Sequence, residues 1–337
     1  MPDAQIARYN HTMVARPRKS EAGTIRVGIS GWTYPPWRGT FYPKKLPQKN
    51  ELPYASAMLP SIEINGTFYG LQRPKSFASW YEQTPENFVF SLKAPRFITH
   101  IRRLREVETP IANFLLSGPL RLNEKLGPIL WQFPPSMQFN PDLFETFLSQ
   151  LPHTTKDAAK FLKRCDARMK GRTWAEIDRD WPLRHAIEIR HESFAKDTFV
   201  NLLRKHRVAL VCADTAGKWP MLHDVTADFV YARLHGEEEL YASGYTESAL
   251  DDWAAKIRAW SKGSDAPAAQ RVGPAAQKRA KRDVYVYFDN DVKVRSPFDA
   301  ARLAVKLGLR EHPLPEIHQP DSKEVPRPQW PSVGRKK

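Results

Sequence analysis

Short runs in which apolar and polar residues alternate recur along this chain, and a period of two marks each run as a strand. The first is Thr24-Ile25-Arg26-Val27-Gly28-Ile29-Ser30, closing in Gly31-Trp32. Further strands are predicted at residues 61–65, 88–93, 127–133, 185–190, 208–214, 229–236 and 284–288. Between most of them the period lengthens towards that of a helix. Helices are predicted at about 49–58, 74–81, 109–123, 141–150, 195–205, 246–260 and 297–307. Pro74 and Pro141 suit a first helical turn, where the missing N–H is not needed.

Eight strands with intervening helices predict a single α/β domain over residues 24–310, a TIM (β/α)₈ barrel. A doubly wound open sheet is the alternative. It is disfavoured because Gly28 and Gly31 are not followed by the third glycine of a phosphate-binding loop. Residues 1–23 read as a flexible arm and 311–337, with their many prolines, as a disordered tail. The polar stretch 153–184 is long for a connection, and 261–282 reads as a basic low-complexity insertion before the last strand.

Composition adds limits. There is no run of about 18 apolar residues, so no transmembrane helix is expected. The N-terminus shows no apolar signal-peptide core. Cys165 and Cys212 are the only cysteines and form no CxxC, which excludes a cysteine zinc site and makes the cytoplasm the expected compartment. The net charge of +15 suggests nucleic acid until it is located, because residues 1–23, 261–282 and 310–337 together carry +9 of it. A nucleic-acid partner is therefore considered at the basic insertion, together with the barrel mouth.

In a parallel barrel the C-terminal strand ends converge on one face, and active sites lie there. Those ends hold Glu63 and Asn65, Lys93, Gln132, Glu188 with Arg190 and His191, Asp214, Arg233 with His235, then Asp289, Asn290 and Asp291. Lys93, Arg190 and Arg233 suit a phosphate or carboxylate group. Asn65, Gln132, His191 and Asn290 add polar contacts. Glu63 and Glu188 can act as acid and base if their environments separate their pKa values, and His235 and Asp214 join them as catalytic candidates. Trp32 and Tyr34, in an aromatic loop after the first strand, are candidates to stack on a substrate. The bland alternative is internal pairing, Arg190 with Glu188 and Arg233 with Asp214 or Asp289, plugging the barrel mouth, with the aromatic loop a packed lid. No cofactor is expected. A divalent metal held by Glu63, Glu188, Asp214 and His235 is considered, but no HExxH-type spacing supports it and the nearby cations oppose it.

The ordered motifs Gly31-Trp32, Phe41-Tyr42-Pro43, Glu63-Ile64-Asn65, Phe90-Ser91-Leu92-Lys93, Trp131-Gln132-Phe133-Pro134, Glu188-Ile189-Arg190-His191, Asp214-Thr215, Arg233-Leu234-His235-Gly236 and Tyr287-Phe288-Asp289-Asn290-Asp291 resemble the YecE-like family, the domain of unknown function 72. The resemblance runs from about residue 25 to 308 and implies a TIM barrel with a polar mouth; it transfers no activity. The chain departs from the pattern in the longer stretches 153–184 and 261–282, and in Asp289, where Asn is commoner. The expectation is an enzyme (hydrolase, isomerase or lyase) acting at the barrel mouth on a small anionic, phosphorylated, carboxylate or sugar-like substrate. The alternative is a noncatalytic binding protein for nucleic acid or an anionic metabolite.

Overall fold

The alternation seen in the sequence closes on itself in three dimensions. The computed structural model describes residues 22–314 apart from 268, 291 and 292, so the predicted arm to residue 21 and the tail from 315 lie outside the described residues. Chain order is β1 (Ile25–Ser30), α1 (Glu51–Met58), β2 (Ser61–Ile64), α2 (Gly66–Tyr69), α3 (Pro74–Glu82), β3 (Val89–Lys93), α4 (Glu108–Leu116) and β4 (Leu126–Gln132). It continues with α5 (Pro141–Ser149), α6 (Thr155–Ala159), β5 (His185–Glu188), α7 (Asp197–Lys205), β6 (Ala209–Asp214), β7 (Phe229–Leu234), α8 (Glu247–Ser261), β8 (Asp283–Phe288) and α9 (Ser296–Lys306). The eight strands pair in sequence order, all parallel, and β8 returns to β1 with Ile25 opposite Val284. This is a TIM barrel.

Some helix starts fall where their cap chemistry places them. Asn140 accepts the Leu143 N–H at 3.0 Å and Thr246 the Ala249 N–H at 3.2 Å, each satisfying an orphan donor of a first turn. The helix predicted at 109–123 instead stops at Leu116. Gly118, at φ +134°, and Pro119 break it, and a 3₁₀ segment Pro119–Lys125 follows. No helix joins β6 to β7.

Each strand has two buried faces. Outward residues such as Ile62, Phe90, Trp131, Ile187, Cys212 and Val286 pack under the helices in one large core. Inward residues form a second, smaller cluster that includes Val89, Leu130, Ala186, Val211, Tyr231 and Tyr287. Gly28 is inward too, and a Cβ there would sit 2.1 Å from the Ser61 carbonyl oxygen, so only glycine lets β1 approach β2. Tyr287 spans the lumen, its hydroxyl 2.6 Å from Ser61 Oγ and 2.8 Å from Ser91 Oγ. These tyrosines form a hydrogen-bonded floor beneath the polar mouth.

The two long stretches are built, not slack. Residues 153–184 hold α6 and two short 3₁₀ turns, and Arg121 stacks on Trp174 at 3.9 Å. The segment read as a low-complexity insertion folds back over the other end of the barrel. Asp224, itself buried, accepts the N–H groups of Val272 at 3.1 Å and Gly273 at 2.9 Å, and Gln270 pairs with His223. Buried backbone acceptors and a buried carboxylate supply the order that apolar periodicity does not. Among the described residues no helix is long and apolar enough to cross a membrane.

Candidate active site at the barrel mouth

Strand register sets the site. Ser30 lies opposite Glu63, Glu63 opposite Ser91, Gln132 opposite Glu188, and Arg233 opposite Tyr287, all on the inward face. At the centre is Arg233, fully buried. Its guanidinium donates to Glu63 (Nη2–Oε1 2.8 Å, Nε–Oε2 3.1 Å), to Glu188 Oε2 at 2.7 Å and to Asp289 Oδ2 at 2.7 Å. One cation thus holds three carboxylates from β2, β5 and the end of β8.

Each carboxylate has further partners. Glu63 accepts from Tyr231 Oη at 2.5 Å and Ser30 Oγ at 3.0 Å, and Glu188 accepts from Gln132 Nε2 at 2.8 Å and Arg190 Nε at 2.8 Å. Burial alone would raise the Glu188 carboxyl, but Arg190 and Arg233 hold it well below the usual range. Asp289 is likewise held low against its burial, first by Arg233 and then by His235. Burial works against the Arg233 charge, and Glu63, Asp289 and Glu188 more than offset it.

His235 is neutral. Its Nε2 lies 3.3 Å from Arg233 Nη1, which can only donate, so the ring proton sits on Nδ1. That atom is 3.1 Å from Asp289 Oδ2, inside ion-pair range but too poorly aligned for a hydrogen bond. Burial and Arg233 push the imidazole below its ordinary value. Gly236, at φ +121°, turns the chain immediately afterwards; a Cβ there would meet the Glu239 carbonyl oxygen at 2.4 Å.

Above this layer the accessible groups are cations. Arg190 donates to Tyr241 Oη at 3.1 Å and stacks on Trp219, 4.0 Å from the ring centroid, which leaves one edge of its fork open. Lys93 Nζ sits 4.5 Å over the Phe68 ring and pairs with no carboxylate among the described residues. Burial, then Arg233, lower its pKa to about 8, against the pull of Asp289, Glu63 and Glu188. His100 is lowered to about 4 by burial and by Lys93, Arg190 and Arg96, so it is a neutral neighbour of a positive patch. Asn65, at the end of β2, has its Oδ1 buried without a partner among the described residues.

Of the residues singled out in the sequence, Glu63, Lys93, Gln132, Glu188, Arg190, Arg233, His235 and Asp289 share the inward face. Asn65 follows β2 with a helical backbone, and Asp291 lies outside the described residues. The remaining ones are placed elsewhere. Asp214 shares the outward face of β6 with Cys212 and takes its hydrogen bond from Tyr245 Oη at 3.0 Å, so it is not beside the other carboxylates. His191 is also outward and caps the turn Glu192–Phe194 by accepting the Ser193 N–H at 3.1 Å. Asn290, fully buried, ties β8 to Asp299 at 2.9 Å and to the Ser243 carbonyl at 3.0 Å. Trp32 packs edge-on against Trp80 with centroids 5.6 Å apart, and Tyr34 donates to the Ser30 carbonyl at 2.6 Å while lying on Trp37. The aromatic loop packs into the large core through Trp37, Phe41 and Tyr42. Arg233 pairs with Asp289 and both glutamates, so it organises the layer and is not an exposed anion ligand. Glu63, Glu188, Asp214 and His235 do not converge as metal donors, since the Arg233 guanidinium lies between the two glutamates. Among the described residues no group of three such side chains fits a metal ion.

Sequence reading names none of Tyr231, Ser30, His100, Phe68, Trp219 and Tyr241 as a site residue. Strand parity points to the first two, since Tyr231 lies two residues before Arg233. The other four stand in helical or loop segments whose approach to the mouth has no signature in the strand period.

Two curated relatives share part of the sequence. The UPF0759 protein YunF of Bacillus subtilis is 30% identical over 116 residues, 33% of this chain and 40% of the relative. The UPF0759 protein YecE of Escherichia coli K12 is 28% identical over 132 residues, 34% of this chain and 46% of the relative. The chain thus matches less than half the length of either. Two solved structures share the fold. A DUF72 family protein of Thermotoga maritima superposes with a TM-score of 0.62 at 24% identity, covering 85% of this chain and 99% of that one. A DUF72 family protein of Enterococcus faecalis gives 0.59 at 20% identity, with 87% and 98% covered. The model of the family described as protein of unknown function DUF72 matches residues 26–324, which takes in all eight strands, and the chain belongs to that family.

Proposed function

We propose that the barrel mouth is an enzyme active site for a small anionic substrate, with Arg190 as its anchor and Lys93 as the proton-transfer group. One observation carries the reading: Arg233 holds all three carboxylates, while the half-buried Lys93 has no carboxylate partner among the described residues and Arg190 uses only part of its fork on Glu188 and Tyr241. A guanidinium with one open edge suits a phosphate or carboxylate oxygen pair. An amine near pKa 8 is matched to transferring protons near neutral pH, which the strongly held Glu188 and Asp289 are not. Asn65 Oδ1 supplies an acceptor for a substrate hydroxyl, such as that of a sugar. Glu63, Glu188 and His235 act as positioning residues for Arg233 and Arg190. The class of bond broken is left to the substrate.

Competitive acetylation of the Lys93 amine, read peptide by peptide across pH, tests the reading without a known substrate. The expected midpoint is near 8, against about 10.4 for ordinary lysines. Phosphate or citrate should slow the labelling in the wild type and not in Arg190→Gln. A midpoint above about 10, or labelling indifferent to both anions, sinks the proposal. Protection by an anion with no turnover across phosphorylated and carboxylate metabolites would leave the noncatalytic binding protein instead.

A further inference from the structure

At the opposite end of the barrel lies a second cavity of about 770 Å³, built by the segments that lead into β5, β6, β7 and β8. Its walls carry five arginines, Arg184, Arg204, Arg207, Arg279 and Arg282, against the single carboxylate of Asp228. Two of the five are internally committed: Arg184 pairs with Asp283 at 2.7 Å, and Arg204 donates to the Pro274 carbonyl at 2.8 Å. Arg207 and Arg279 are exposed and make no side-chain hydrogen bond or ion pair among the described residues. Arg282 is the unusual one. It is 2% exposed, its Nη1 and Nη2 reach only the Ser264 and Gln277 carbonyls at 3.2 and 2.6 Å, and its Nε is buried with no acceptor. A buried guanidinium with an unmet donor and no paired carboxylate is costly, unless a counter-ion completes the site. Burial and Arg279 accordingly weaken its hold on its proton, with only Asp265 opposing.

We infer that this cavity binds a small, multiply charged phosphate compound, a diphosphate or larger, through Arg207, Arg279 and Arg282. The volume is that of a small-molecule site, and the cations line a concavity; they do not form a stripe. No Phe, Tyr or Trp lines it among the described residues, so it lacks the stacking platform that single-stranded nucleic acid uses. The order of residues 262–282 has a reason on this view, because that segment supplies Arg279 and Arg282 and closes the wall. The inference is independent of the reading of the mouth.

Calorimetric titration of the full chain with inorganic pyrophosphate tests it. The wild type should bind, and Arg207→Gln/Arg279→Gln should bind at least about tenfold more weakly. The control Lys75→Gln/Lys163→Gln removes the same charge from exposed positions elsewhere and should match the wild type. Arg282→Gln should weaken binding in protein whose circular dichroism spectrum and melting remain native. Absence of heat with the wild type at millimolar pyrophosphate overturns the inference. So does equal weakening in the control, which would mean diffuse attraction. Binding abolished by Lys93→Met/Arg190→Gln but kept in Arg207→Gln/Arg279→Gln would place the ion at the mouth and overturn it as well. A single-stranded oligonucleotide that binds through Arg207 and Arg279 and resists displacement by pyrophosphate would assign the cavity to nucleic acid instead.

Discussion

Replacing Arg233 by Met keeps most of the side-chain volume and removes the one charge that Glu63, Glu188 and Asp289 share. Breaking a buried ion pair from one side costs about 3–5 kcal/mol, since the remaining charge is left without compensation. Glu188 keeps Arg190, but Glu63 and Asp289 lose their guanidinium partner, and proton uptake limits the total, so a loss at the upper end of that range is expected at pH 7.5. The pH dependence identifies the cause. In the wild type Glu188 and Asp289 are depressed in the fold, so their contribution is present above their unfolded values near 4 and is lost as pH falls through the lower folded values. In the variant burial acts without Arg233, so both carboxyls move up from those depressed values, Glu188 less so because it keeps Arg190. The stability they contribute at neutral pH is reduced, and the difference from the wild type shrinks as acidification removes that contribution from both proteins. Urea unfolding of both proteins at intervals from pH 8 to pH 4.5 should show a gap that narrows steadily towards acid. A gap under about 1 kcal/mol at pH 7.5, or one that does not change with pH, refutes the account of a buried cation neutralising three carboxylates.

Lys93→Met should stabilise the protein at pH 7. The wild-type amine is lowered to about 8 in the fold, so it costs stability below that pH and nothing above its unfolded value near 10.5; the advantage, about 1–3 kcal/mol for a partly buried group, should fade as pH rises from 8 to 10.5 in denaturant titrations. His185 accepts from Trp131 Nε1 at 3.1 Å and donates Nε2–H to the Pro152 carbonyl at 2.8 Å, and burial lowers it to about 4. Its imidazole resonances should not titrate above pH 5, and stability tied to its neutral form should be intact above about 6.5 and lost as pH falls to 4; a ring that titrates near 6.5 would contradict this. Asp224→Ala should cost about 1–3 kcal/mol by stranding the N–H groups of Val272 and Gly273, and limited proteolysis should cut first within residues 262–282. Cleavage no faster than in the wild type would show that the segment is held by other contacts.

The barrel was legible because each strand keeps a period of two that stands out from the helical and irregular segments between the strands. The eight strand ends named the right region, and within it parity separates the contributors. Glu63, Lys93, Glu188, Arg190, Arg233 and His235 point inward with the lumen residues. Asp214 follows Leu210 and Cys212 outward, and Asn290 follows Val286 and Phe288. Position at a strand end is therefore insufficient, since the two faces of one strand meet different neighbours. The basic insertion misled for another reason. Its order comes from Asp224 and His223, supplied by another part of the chain and silent in its own composition, together with the Arg279 N–H that closes the segment on its own Gly263 carbonyl.

The sequence alone determined the eight-stranded barrel and the family, because both are written in local periodicity and in motifs of fixed order. It also determined that a polar mouth would carry both signs of charge. Only the tertiary structure decided how those charges divide. Arg233 could have met a substrate or its neighbours, and closure of the barrel brings Glu63 from β2, Glu188 from β5 and Asp289 from beyond β8 within hydrogen-bond reach of one guanidinium. That pairing leaves Lys93 without a carboxylate partner among the described residues, while Arg190 joins the layer through Glu188. The reason is one of distance: ion pairing and burial are set over a few ångströms in space, among residues separated by as many as 170 positions in the chain.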